Sequence, residues 1–147
     1  MNKNTDTTPL LVFTYGMLTN NDVMPESAIR LGPAALPGFG WEMLCYANVY
    51  DKPGNMALGV LWEIDYDILE DLDYREGYPN FYSREYVDVL HEGIPKLAWV
   101  YVMTEDYRKV LTGSTPSESY LNLVIEGFKT DGISVPNICI ADLVSKM

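Results

Sequence analysis

The chain is poor in the groups that usually carry catalysis: 147 residues include one histidine, His91, and two cysteines, Cys45 and Cys139. A Ser-His or Cys-His mechanism would depend on that single imidazole, which falls in a predicted hairpin turn beside Glu92 and Gly93 and is expected to be solvated there. The cysteines lie far apart without a second ligand-like neighbour, so neither a disulfide framework nor a metal site is expected. No dinucleotide-binding Gly-x-Gly-x-x-Gly turn or Gly-Lys-Ser phosphate loop occurs, and no cofactor is expected. Basic residues are also scarce. Ten Lys and Arg against 21 Asp and Glu give a net charge of -11. With no basic stripe to oppose that average, nucleic acid is not an expected partner. No apolar run approaches the roughly 20 residues of a membrane span, and Met1 to Pro9 is polar rather than a basic segment followed by an apolar one. These features predict a cytoplasmic protein without a membrane segment, with a flexible tail over 1–9 and a single domain over 10–147.

Short apolar and aromatic runs fill most of that domain. Leu10 to Tyr15 reads as a buried strand that ends at Gly16. Residues 21–40 contain Pro25, Pro33 and Pro37 with several glycines and read as loop, with a helical turn around Glu26 to Leu31. Trp41 to Tyr50 and Met56 to Ile64 are predicted to form a hairpin about the turn-rich Asp51 to Asn55. Asp65 offers a helix N-cap, Ile68, Leu69 and Leu72 share one helical face, and Gly77 is the expected stop. Phe81 to Leu90 and Lys96 to Met103 read as a second hairpin across His91 to Pro95. Thr115, Pro116 and Glu118 read as a capping box for a helix whose apolar stripe is Leu121, Val124, Ile125 and Phe128. A short helix or turn is predicted over 136–145. Adjacent hairpins with inserted helices make an α+β domain built on a largely antiparallel sheet.

With histidine, thiol and cofactor chemistry set aside, carboxylate acid/base chemistry assisted by backbone amides remains. Seven acidic residues lie between Glu63 and Glu76. Most gather near the helix start, where the dipole favours them. Glu76 stands at the opposite end, where unpaired carbonyls, Asp73 and burial beside Tyr78, Phe81 or Tyr82 would disfavour its charge, while pairing with Arg75 would oppose them. Pattern alone leaves two readings of Glu76: one member of a solvated acidic face, or a carboxyl tuned to exchange protons. Gly16 likewise permits either a plain turn or a backbone brought close to a ligand, with the amides of Gly16, Met17 and Leu18 available to negative charge. Tyrosine is abundant, 11 of 147 residues, with many at strand ends or beside turns.

The segments Tyr15-Gly16-Met17-Leu18 and Leu72-Asp73-Tyr74-Arg75-Glu76-Gly77 together resemble the gamma-glutamylcyclotransferase-like (AIG2-like) family, whose members carry a Tyr-Gly-x-Leu or Tyr-Gly-Ser-Asn loop and a later Leu-Asp-x-x-Glu-Gly element. The resemblance takes in Phe81 to Arg84, Trp99 to Tyr101, and the helix with Tyr120 and Leu121. It implies a small curled sheet or barrel flanked by helices. It also implies a small-molecule gamma-glutamyl substrate, cyclised to 5-oxoproline with release of an amine or amino acid, and Glu76 as general acid/base. The Tyr15 to Leu18 loop would hold the gamma-glutamyl part, with Tyr82 and Tyr107 lining the pocket. Met17 departs from the serine or threonine often found there, which removes a hydroxyl contact. Two other readings fit the residues: a small-molecule binding module without turnover, and an acidic protein-interaction domain presenting Glu63 to Glu76.

Overall fold

A computed structural model describes residues 9–133. The predicted tail before Pro9, the predicted element over 136–145 and Cys139 lie outside the described residues. Five strands, β1 (Leu10–Thr14), β2 (Ile29–Met43), β3 (Ala47–Ile64), β4 (Tyr82–His91) and β5 (Ile94–Met103), close into a barrel in the order β1-β3-β2-β4-β5. All neighbours are antiparallel except β1 and β5, which run parallel through Val12↔Trp99 and Phe13↔Val100. Three helices flank it: α1 (Tyr66–Glu76), α2 (Glu105–Leu111) and α3 (Glu118–Lys129). The small curled barrel with helices is therefore the observed architecture.

Side-chain alternation along β1 divides the core. Phe13 points into the barrel with Leu36, Val49, Leu61, Val89 and Val100, where Leu121, Val124 and Phe128 of α3 join them. Val12 points outward with Val60, Trp62 and Ile64, and that face is covered by Ile68, Leu69 and Leu72 of α1. The helix limits follow local chemistry. Asp65 caps α1 by accepting from the Ile68 amide at 2.9 Å, and Gly77 ends it at φ 67°, a left-handed conformation suited to glycine.

Several predicted elements are corrected. Residues 29–40, read as loop, belong to the long strand β2, and the turn predicted around Glu26 to Leu31 is a single hydrogen-bonded turn from Pro25 to Ala28. Its prolines are tolerated because β2 pairs with β4 through a single register position, Ala35↔Leu90, and because Pro37 adjoins a register shift. The first hairpin turns at 44–46, not at Asp51 to Asn55. The latter residues lie within β3 and bulge outward between the pairs Phe39↔Asp51 and Pro37↔Met56. The second hairpin is tighter than predicted. His91 pairs with Ile94 across Glu92 and Gly93, both at positive φ, the conformation of a two-residue primed turn. His91 is consequently buried, not solvated: its Nε2 lies 3.2 Å from the Leu31 carbonyl and its Nδ1 2.9 Å from Lys96 Nζ. The cap of α3 is Ser117, which accepts from the Tyr120 amide, rather than Thr115. Helix α2, capped by Thr104, had not been predicted.

Candidate active site

Beyond β1 the chain leaves the barrel at Tyr15 and makes a single 3-10 turn, Met17–Thr19. Tight packing fixes this turn. Arg30 on β2 donates to the carbonyls of Thr19 (2.6 Å) and Gly127 (3.0 Å) and pairs with Asp131, while Asn20 Nδ2 donates to the Leu123 carbonyl at 3.0 Å. The loop is thereby fastened to α3. Gly16 is required by close approach, since a Cβ there would stand 2.9 Å from Ala47 Cβ and 3.1 Å from the Tyr120 hydroxyl.

Opposite this loop stands the C-terminal turn of α1. Between them lies a cavity of about 360 Å³, lined by Tyr15, Gly16, Met17 and Leu18 on one side and Tyr74 to Gly77 on the other. Phe81, Tyr82, Tyr101, Tyr107, Tyr46 and Tyr120 complete most of its wall. The structure thus brings Glu76, the 15–18 loop, Tyr82 and Tyr107 to one cavity. The other acids of α1 diverge from Glu76: Asp67, Glu70 and Asp71 are exposed.

Glu76 is held at the cavity wall without a hydrogen-bond partner among the described residues, and desolvation raises its carboxyl from 4.5 to about 7. Arg75 opposes that shift only by its charge, because its side chain is engaged elsewhere. Its Nε lies 3.0 Å from Asp71, and its Nη1 donates to the Val23 carbonyl at 2.8 Å. Of the causes expected from the sequence, burial is the largest and the Arg75 charge opposes it, while Asp73 is turned to β4 and β5.

There Asp73 accepts from the Tyr101 hydroxyl at 2.6 Å and from Arg84 through both carboxylate oxygens, at 2.9 and 3.1 Å. Arg84 lies over the rings of Trp99 (4.3 Å) and Tyr78 (4.6 Å). Tyr101 also receives, on its backbone carbonyl, the hydroxyl of Tyr15 at 2.5 Å. One residue of β5 therefore ties the glutamate-bearing helix to the strand that feeds the loop.

The tyrosines serve unequal purposes. Tyr82 lines the cavity, but its hydroxyl donates to the Ala47 carbonyl at 2.8 Å, leaving lone pairs rather than a proton for a ligand. Tyr120 accepts from the Ala47 amide at 3.0 Å. Burial raises the hydroxyls of Tyr15, Tyr82, Tyr101 and Tyr120, with the nearby Glu76 charge acting in the same direction, so all four remain neutral donors or acceptors. Tyr107 packs against Phe81 and Tyr82, with centroids 4.9 and 5.9 Å away. Tyr101, Tyr120, Tyr46 and Phe81 were not singled out as site residues from the sequence. Phe81, Tyr101 and Tyr120 lie in segments that carry the family resemblance, whereas Tyr46 left no signal there.

A family model described as "Gamma-glutamyl cyclotransferase, AIG2-like" matches residues 12–122. The chain belongs to this family. Its fold is shared by a solved gamma-glutamyl cyclotransferase, 22% identical over 94% of this chain and 88% of that one, with a TM-score of 0.73. An uncharacterised human protein, loc79017, is 23% identical over 93% of this chain and 87% of that one, with a TM-score of 0.75. A yeast gamma-glutamyl cyclotransferase specific to glutathione is 17% identical over 95% and 97%, at 0.63. At these identities the likeness establishes the fold alone. No curated protein matches the chain. Among the described residues no helix is long and apolar enough to cross a membrane.

Proposed function

We propose that this AIG2-like protein is a cyclotransferase that converts a small gamma-glutamyl compound to 5-oxoproline and a free amine, with Glu76 as its general acid/base. The observation that carries the reading is the Glu76 carboxyl, raised to about 7 and facing, across one cavity, the loop from Tyr15 to Leu18. The loop amides hold the substrate's carboxylate or the developing oxyanion. The substrate's neutral alpha-amine attacks its own gamma-carbonyl, and folding the chain back supplies the proximity that this intramolecular step needs. Glu76 takes a proton from the attacking nitrogen. As the original carbon–nitrogen bond breaks, Glu76 returns the proton to the departing nitrogen, and both products leave with atoms balanced. A carboxyl near 7 suits both transfers, whereas one near 4.5 would be a poor acid. Met17 removes a hydroxyl from the loop but keeps its amide.

The test separates cyclisation from hydrolysis and from binding alone. Gamma-glutamyl dipeptides and gamma-glutamylamines are assayed for 5-oxoproline, each beside its N-acylated analogue, with calorimetric binding measured in parallel. Product from the free compounds and none from bound acylated ones is expected. Amine release from the acylated compounds at a comparable rate would rule out attack by the alpha-amine. Tight binding without product would favour the binding module.

A further inference from the structure

We propose that the outer half of the cavity is a leaving-group subsite for an arylalkylamine, an amine bearing an aromatic ring and no carboxylate. The inference rests on the cyclotransferase reading and extends it to the group released. Three rings at the cavity are exposed: Tyr74 at 88%, Phe81 at 53% and Tyr46 at 40%. Rings left in water around a concavity present a binding face, unlike single apolar residues scattered over a surface. Tyr107 links Phe81 to the acid/base, since its hydroxyl feels the Glu76 charge and its ring lies 4.9 Å from Phe81.

Phe81 is held rigidly beside the glutamate. Its amide donates to the Gly77 carbonyl and its carbonyl accepts from Thr104, both at 2.9 Å. A Cβ on Gly77 would come within 2.2 Å of Phe81 Cδ2, so the ring rests directly against the backbone next to Glu76. A second ring joined to the scissile nitrogen by a short chain can stack on this preformed face. Electrostatics add a further selection. Arg75 is the one basic residue lining the cavity among the described residues, and it is engaged by Asp71 and the Val23 carbonyl. A carboxylate on the leaving amine would meet ring faces and Glu76 instead of a free cation.

The decisive comparison is gamma-glutamyl-tyramine against gamma-glutamyl-tyrosine, which differ in the leaving group's carboxylate, with gamma-glutamyl-ethylamine as the ringless control. The tyramine compound is expected to exceed the tyrosine compound in kcat/KM by at least about tenfold, and the ethylamine compound by about threefold to tenfold. Phe81→Leu, which keeps apolar bulk beside Gly77, is expected to reduce turnover of the tyramine compound by a larger factor than turnover of the ethylamine compound. Equal or faster turnover of the tyrosine compound would overturn the subsite, as would an equal loss for tyramine and ethylamine in the variant. If no compound yields 5-oxoproline, the cyclotransferase reading itself fails. The subsite then stands on calorimetry with the intact protein: tighter binding of the tyramine compound supports it, and equal affinities overturn it.

Discussion

Asp73 and Glu76 stand three residues apart at the end of α1, and their surroundings could hardly differ more. Asp73 accepts from Arg84 and Tyr101, and the Arg84 guanidinium lies over the rings of Trp99 and Tyr78. Glu76 faces a cavity, has no hydrogen-bond partner among the described residues, and is raised to about 7. The same functional group on one helical turn thus fixes the helix in one case and remains free for chemistry in the other. Placement explains it: α1 lies across the outer core, so its last turn presents one side to β4 and β5 and another to the cavity. A satisfied carboxylate can hold a structure together. A desolvated, unpartnered one can exchange a proton near neutral pH.

The comparison breaks most sharply at Glu76. Glu76→Gln keeps the volume and removes proton exchange, so turnover is expected to fall by about a thousandfold, with substrate affinity largely retained. Residual activity within a factor of about ten of the unaltered protein would take Glu76 out of the acid/base role. The contrasting pair of changes is Asp73→Ala and Tyr101→Phe. Removing Asp73 leaves the half-buried Arg84 without its ion pair and is expected to cost about 2–4 kcal/mol by chemical denaturation. Tyr101→Phe deletes only the hydroxyl that reaches the helix. It is expected to lower kcat by about tenfold through misplacement of Glu76, with KM nearly constant. A loss confined to KM would show that Tyr101 acts on the ligand instead.

Stability should move in the opposite direction at Glu76. Its folded carboxyl is raised above the unfolded value, so the folded state binds the proton more tightly and loses relative stability as pH rises from 4.5 to about 7. Below that window both states are protonated and Glu76→Gln should change little. Above it the variant should be more stable by up to about 3 kcal/mol, measured by denaturation at several pH values. The smallest effect expected is from Arg75→Gln. Because the Arg75 charge lowers the Glu76 carboxyl, its removal should shift the acidic limb of the kcat/KM profile slightly upward. A downward shift would mean that Arg75 acts by holding the helix end rather than by its charge.

Local chemistry made some of this legible before any tertiary contact was known. Asp65 and Gly77 bracket α1 because each satisfies orphan backbone groups, and the residues that do so are few. The paired segments around residues 81–90 and 96–103 are dense in aromatic and branched side chains, and they form the hairpin expected. Where the reading failed, a local signal had been overridden. Pro33 and Pro37 signalled loop, yet a sparsely paired strand and a register shift accommodate both. Asp51 to Asn55 signalled a turn, yet the long pairing of β2 with β3 absorbs them as a bulge. His91 signalled a solvated turn, yet the two-residue turn moved it into the strand beside Leu31 and Lys96.

By itself, the sequence determined the inventory: a single histidine, no cofactor loop, a glycine after the first strand, and a glutamate immediately before the glycine that ends a helix. Those are properties of composition and short-range backbone geometry, which the chain carries wherever it folds. Only the tertiary structure decided that Gly16 and Glu76 share a cavity, that Arg75 reaches the Val23 carbonyl, and that Asp73 is engaged by Tyr101 and Arg84. Each of these depends on barrel closure between strands distant in sequence, and a carboxyl's proton affinity depends on the solvent and charges that such closure removes or brings near.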